Sequence, residues 1–101
     1  MSIRPANPGG TISISVCVCT YRRAYLEQTL RSLAALELPH GLEMHVIVAD
    51  NDIWPSARRL VETMATSLPY EIRYVHCPAS NISLARNACL EAATGDFLAF
   101  I

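Results

Sequence analysis

The chain has 101 residues, 51% of them apolar, and a formal net charge of −1. That length bounds it to one small domain, which buries roughly two-thirds of its unfolded surface. The charge gives no electrostatic case for broad binding to nucleic acid or membranes, and the apolar content excludes a disordered chain.

Residues 1–11 hold Pro5, Pro8, Gly9 and Gly10 and no apolar run. They read as a flexible amino-terminal arm rather than a signal peptide, and residues 12–101 as the domain. The first strand is expected from Ile12 to Cys19. Ile14, Val16 and Val18 alternate there with Ser13, Ser15, Cys17 and Cys19. One face is branched, the other small, and both can be covered, as in a central parallel strand. Leu26, Leu30 and Leu33 then fall at helical spacing between Arg23 and about Glu37, and Pro39 and Gly41 stop that helix.

Met44, Val46 and Val48 mark a second buried strand ending at Asp50-Asn51-Asp52. Pro55 suits the first turn of a second helix, with Ala57, Leu60, Val61, Met64, Ala65 and Leu68 as its core face. Ile72 to Cys77 is a third strand, and Arg73 suggests an outer position. Ile82 to Ala93 is a third helix, with Ala85, Ala88, Cys89 and Ala92 inward. Gly95 is expected to end it in the left-handed conformation. A fourth strand runs from Asp96 to Ile101.

Strand and helix alternate with short connections, which calls for right-handed crossovers and a mostly parallel sheet. The expected fold is α/β, a three-layer sandwich of about four strands with helices on both faces. We adopt the order 3-2-1-4 because it gathers the polar strand ends around one crevice, where such sheets bind ligands.

The four cysteines, Cys17, Cys19, Cys77 and Cys89, include no pair with the two-residue gap of a zinc or redox motif. They read as small reduced core residues, with a reducing, cytosolic location as the default. No segment approaches the ~18 apolar residues of a membrane span. All eight basic residues are arginine, whose guanidinium suits forked contacts to phosphate.

Three polar clusters fall at the expected strand ends. Thr20-Tyr21-Arg22-Arg23 offers a hydroxyl, an aromatic face and guanidinium groups that can hold a base and phosphates, or simply a helix cap and solvated arginines. Asp50-Asn51-Asp52 can meet a base or a ribose hydroxyl, or form a turn and a cap. Asn81-Ile82-Ser83-Leu84-Ala85-Arg86-Asn87 opens a helix with an arginine in its first turns, an arrangement that attracts anions, although an ordinary cap with an exposed arginine uses the same residues.

Val18-Cys19-Thr20-Tyr21-Arg22-Arg23, Val46-Ile47-Val48-Ala49-Asp50-Asn51, Asn81 with Ala85-Arg86-Asn87, and Ala92-Ala93-Thr94-Gly95-Asp96-Phe97-Leu98-Ala99-Phe100 stand in that order. Together they resemble the amino-terminal half of the family 2 glycosyltransferases, inverting enzymes with the A-type nucleotide-sugar fold, which is Rossmann-like. The resemblance covers about Ile12 to Ile101.

It implies that Thr20, Tyr21 and Arg23 border the nucleotide, that Asp50 or Asn51 contacts base or ribose, and that Asn81 and Arg86 lie near the diphosphate. The implied donor is a nucleoside-diphosphate sugar and the acceptor a glycan or lipid-linked glycan in polysaccharide or glycoconjugate biosynthesis, with no nucleic acid. A divalent Mg or Mn ion would be held by two aspartates expected just past Ile101. Catalytic residues are expected beyond that point too, so none is assigned here, nor any metal ligand. The chain by itself is expected to be inactive, and membrane association is open to the full-length protein.

Two departures stand out. Arg22 replaces a frequent asparagine, and Asp52-Ile53-Trp54 replaces a small glycine-serine turn. A non-catalytic module binding a nucleotide or a partner is the alternative. Dinucleotide oxidoreductases and sugar nucleotidyltransferases would need a glycine-rich turn after the first strand, and Cys19-Thr20-Tyr21-Arg22-Arg23 has no glycine. An outer fourth strand carrying Phe97 and Phe100 would invite pairing with a second copy.

Overall fold

A computed structural model describes residues 11–22, 24–78 and 82–101. The amino-terminal arm up to residue 10, Arg23, Ser80 and Asn81 lie outside the described residues. The order is β1 (Ile12–Thr20), α1 (Leu26–Ala34), β2 (Leu42–Asp50), α2 (Arg58–Ala65), β3 (Glu71–His76), α3 (Ile82–Ala92) and β4 (Phe97–Phe100). The strands form one sheet in the order β3-β2-β1-β4, with every pairing parallel. The expected architecture and strand order are therefore those of the protein.

The alternation along β1 and β2 sorts the core into two halves. Val16 and Val18 join Val46 and Val48 on one face, under Leu26 and Leu30 of α1 and Val61 and Met64 of α2. Cys17 joins Ile47 and Ala49 on the other, under Ala85 and Cys89 of α3. Burial raises the Cys17 and Cys89 thiols above the ordinary thiol range, so both are inert apolar filling.

Local boundaries differ from expectation for physical reasons. α1 starts at Leu26 rather than Arg23 and stops at Ala34, several residues before Glu37. Its last turn tightens, with the Ala35 N–H donating to both Arg31 and Ser32 carbonyls, and Pro39 holds the preceding residue out of the helical region. α2 begins at Arg58, three residues after Pro55, because Ser56 and Arg58 N–H groups close turns onto Trp54 and Pro55 carbonyls (2.7 and 3.2 Å). Ala65, expected in its core face, is exposed. Arg73 is exposed on the outer strand β3, as expected.

Gly95 is a correction. Among the described glycines only Gly41 has a positive φ (84°), in the turn whose carbonyl accepts the Ile12 N–H at 2.7 Å. Gly95 is required for closeness instead. A Cβ there would lie 2.8 Å from both Ser15 N and Ser15 Oγ. The Gly95 N–H donates to Ser15 Oγ at 2.9 Å, and that hydroxyl is also bonded to His45 Nε2. Asp96 then locks β4 beside β1, exchanging Asp96 N–H to Ser13 carbonyl (2.8 Å) and Ser13 N–H to Asp96 Oδ2 (3.1 Å). β4 is an edge strand, with Phe97 and Phe100 exposed.

Candidate functional site

All four strands are parallel, so their carboxyl ends share one rim. Thr20, Asp50 and His76 are the last residues of β1, β2 and β3, and they are register partners across the sheet. Thr20 and Asp50 follow Val18 and Val48 by two residues, so both lean toward the α1/α2 face. Here β1 also borders β4, whose chain has crossed to the far side, and this reversal is where such sheets leave a crevice.

Asp50 is fully buried and its carboxylate is committed to the chain. Oδ1 accepts the Asp52 N–H (3.1 Å), and Oδ2 accepts the Ala57 N–H (3.0 Å) and the Tyr74 hydroxyl (2.6 Å). It therefore shapes the loop and caps the entrance to α2. Burial, then the Asp50 carboxylate, pushes the Tyr74 hydroxyl well above its ordinary range. The sequence did not single out Tyr74, although strand alternation puts it on the face of Val48 and Asp50.

Asn51 is buried and its N–H donates to the Thr20 carbonyl at 2.8 Å, which joins the first two strand ends. Asp52 is buried as well. Its Oδ2 receives Arg22 Nε at 3.0 Å, and the His76 ring N–H donates to its carbonyl at 2.8 Å. The Arg22 hydrogen bond holds the Asp52 carboxyl below the usual carboxylate range, and Asp52 in turn raises the guanidinium. Arg22 has φ 49°. That left-handed conformation suits asparagine far better than arginine.

Tyr21 is exposed, with the Arg22 guanidinium 5.4 Å from its ring centroid. Arg86 lies at the same end of the molecule but on the other face. It is exposed on α3, over the ring of Phe100, the last residue of β4, at 5.8 Å. The structure thus brings Thr20, Asp50 and Asn51 together and sets Arg86 across the rim from them.

A cleft of about 190 Å³ opens between the starts of α1 and α2, lined by Thr20, Arg22, Leu26, Ser56, Ala57 and Leu60. Thr20 Oγ1 and Asp52 Oδ1 are buried and have no hydrogen-bond partner in this structure. An unmet buried polar atom costs about 1–3 kcal/mol, so the Thr20 hydroxyl is the group here that an incoming partner would satisfy. Asp50-Asn51-Asp52 does pair two carboxylates one residue apart. It does not fit a metal ion, because Asp50 is saturated by donors and Asp52 already faces a cation.

Comparison with known proteins gives the family. The model of the family described as Glycosyl transferase family 2 matches residues 15–101. The chain belongs to glycosyltransferase family 2. It is 58% identical to the "Succinoglycan biosynthesis protein ExoM" of Rhizobium meliloti (strain 1021) over 94 residues, covering 93% of this chain and 30% of that protein. It is 30% identical to "Uncharacterized protein MT1568" of Mycobacterium tuberculosis (strain CDC 1551 / Oshkosh) over 102 residues, all of this chain and 29% of that protein. The crystal structure of S. aureus TarS superposes with a TM-score of 0.70 at 26% identity, over 89% of this chain and 16% of TarS. The chain therefore spans less than a third of each of these family relatives.

Proposed function

We propose that this chain is the donor-binding part of an inverting glycosyltransferase that moves a sugar from a nucleoside-diphosphate sugar to an acceptor hydroxyl in polysaccharide biosynthesis. One observation carries the reading. The buried, unpartnered Thr20 hydroxyl lines a cleft at the carboxyl rim, beside the reversal of strand order. Family membership and likeness to a succinoglycan biosynthesis protein support the substrate class.

Charge divides the site. Arg22 is neutralised by Asp52, so the cleft suits the uncharged part of the donor, its base or ribose, against Thr20 and Tyr21, with Asn51 behind them. Asp50 acts through the loop it holds. Arg86, whose described contact is an aromatic ring, is the guanidinium for the diphosphate. Arg23 and Asn81 belong to the same reading from their places in the sequence. The carboxylates for a divalent Mg or Mn ion, the general base and the glycan-binding half are assigned past Ile101, so the chain alone transfers no sugar.

Titration calorimetry with a panel of nucleoside diphosphates tests this. One of them binds at unit stoichiometry, and Thr20→Val weakens it about fivefold, the worth of one hydrogen bond, while leaving the melting temperature no lower. Failure of every nucleotide to bind favours the alternative, a non-catalytic partner-binding module. Sugar transfer by the chain alone would overturn the assignment of catalysis to residues beyond it.

A further inference from the structure

The β1–α1 and β2–α2 loops carry exposed apolar side chains, of which the nucleotide reading uses Tyr21 and leaves Tyr25, Ile53 and Trp54 unused. Tyr21 and Tyr25 are 51% and 69% exposed, and Ile53 and Trp54 are 64% and 71% exposed. The two loops are fastened together by the Arg22–Asp52 ion pair and by the Asn51 N–H on the Thr20 carbonyl. Ile53 and Trp54 do not line the cleft. They form an apolar tip that stands in solvent outside the cleft.

The charge on these two loops leans positive through Arg58 and Arg59, Arg22 being paired with Asp52. In the described residues of 20–26 and 51–59, the exposed charged side chains are Arg22, Arg58 and Arg59, while Asp50 and Asp52 are buried. The nearest exposed carboxylates are Glu27, bonded to Arg31 at 3.0 Å, and Glu62, a turn further along α2. Glu43 and Glu71 stand near the starts of β2 and β3, and Asp96 immediately before β4, all at the opposite end of the sheet. The two loops thus lean positive although the chain as a whole carries −1.

Aromatic rings at headgroup depth, an aliphatic tip and flanking guanidinium groups are what an anionic bilayer surface binds. We infer that the Ile53-Trp54 tip, flanked by Tyr21, Tyr25, Arg58 and Arg59, docks this face of the protein onto an anionic lipid surface. A neutral glycan would use the rings but not the arginines.

Trp54 is the single tryptophan of the chain, so its emission reads this contact directly. The probe is vesicles of phosphatidylcholine and phosphatidylglycerol in equal parts, against phosphatidylcholine alone. The anionic vesicles blue-shift Trp54 and pellet the chain, added salt reverses both, and the neutral vesicles do neither. Arg58→Ser and Arg59→Ser each lower the partition coefficient about fivefold. Ile53→Ser with Trp54→Ser abolishes pelleting, and because both positions are exposed the core is untouched.

Unchanged Trp54 emission on anionic vesicles overturns the inference. So does undiminished pelleting of the Ile53→Ser, Trp54→Ser variant, or a blue shift produced by concentrating the chain without lipid, which would assign the tip to a second copy. None of these readings involves nucleotide, so the donor-site reading stands or falls separately.

Discussion

The two faces of the sheet are built on different principles. The α1/α2 face fills its space with long and branched side chains, Leu26, Leu30, Val18, Val48 and Met64, under two helices. The α3 face is made of Cys17, Ala49, Ala85 and Cys89 around Ile47, under one helix that comes close because its side chains are short. The first face can lose stability by losing volume. The second has no room to gain any. The proposed donor site divides along the same line, since the cleft belongs to the large-residue face while Arg86 hangs from the helix on the small-residue face.

The largest expected effects come from reversing the two principles. Leu30→Ala leaves a cavity under α1 and should cost about 3 kcal/mol, within the range for buried leucine truncation. Ala85→Leu adds volume where there is none and should cost about 2 kcal/mol through displaced side chains and backbone. Chemical denaturation checks both. If Ala85→Leu leaves the midpoint unchanged, the α3 face is loosely packed and the contrast fails.

Next in size is the anchor of the β2–α2 loop. Tyr74→Phe removes a donor from the buried Asp50 carboxylate and should cost about 2 kcal/mol, as for hydrogen bonds to charged groups. The raised Tyr74 ionisation also sets a pH window. Folding favours the protonated hydroxyl, so its contribution is complete below the unfolded tyrosine pKa of about 10 and is lost as pH rises beyond it. Alkaline unfolding monitored by circular dichroism should therefore flatten in Tyr74→Phe. An identical alkaline limb in both proteins would break the assignment.

The smallest effect concerns Arg22 and Asp52. The Asp52 carboxyl is held low, so the pair's contribution is present above the unfolded aspartate pKa of about 3.9 and fades as pH falls through the lower folded value. Arg22→Asn relieves the left-handed backbone and deletes the ion pair. These oppose each other, so stability near neutrality should change little, while the acid limb becomes shallower. Melting temperature against pH measures both, and an unchanged acid limb would show that the ion pair has no part in it.

The alternation Ile14-Val16-Val18 against Ser15-Cys17-Cys19, repeated at Val46-Ile47-Val48-Ala49, by itself pointed to a parallel sheet with two covered faces, because burial on both sides leaves a strand no polar face. It also placed Thr20 and Asp50 at strand ends, since the apolar runs stop there. Which polar groups are spent and which are free was decided only by tertiary structure. Asp50 and Asp52 look alike along the chain. The fold surrounds Asp50 with two N–H groups of the following loop and a tyrosine hydroxyl from β3, and turns Asp52 onto Arg22. Gly95 carries the same lesson. A glycine after a helix suggests a left-handed turn, but here the absent Cβ makes way for Ser15, eighty residues earlier in sequence and in direct contact in space. Local pattern encodes which way a side chain faces, whereas the partner it meets there arrives from distant chain, and only packing brings the two together.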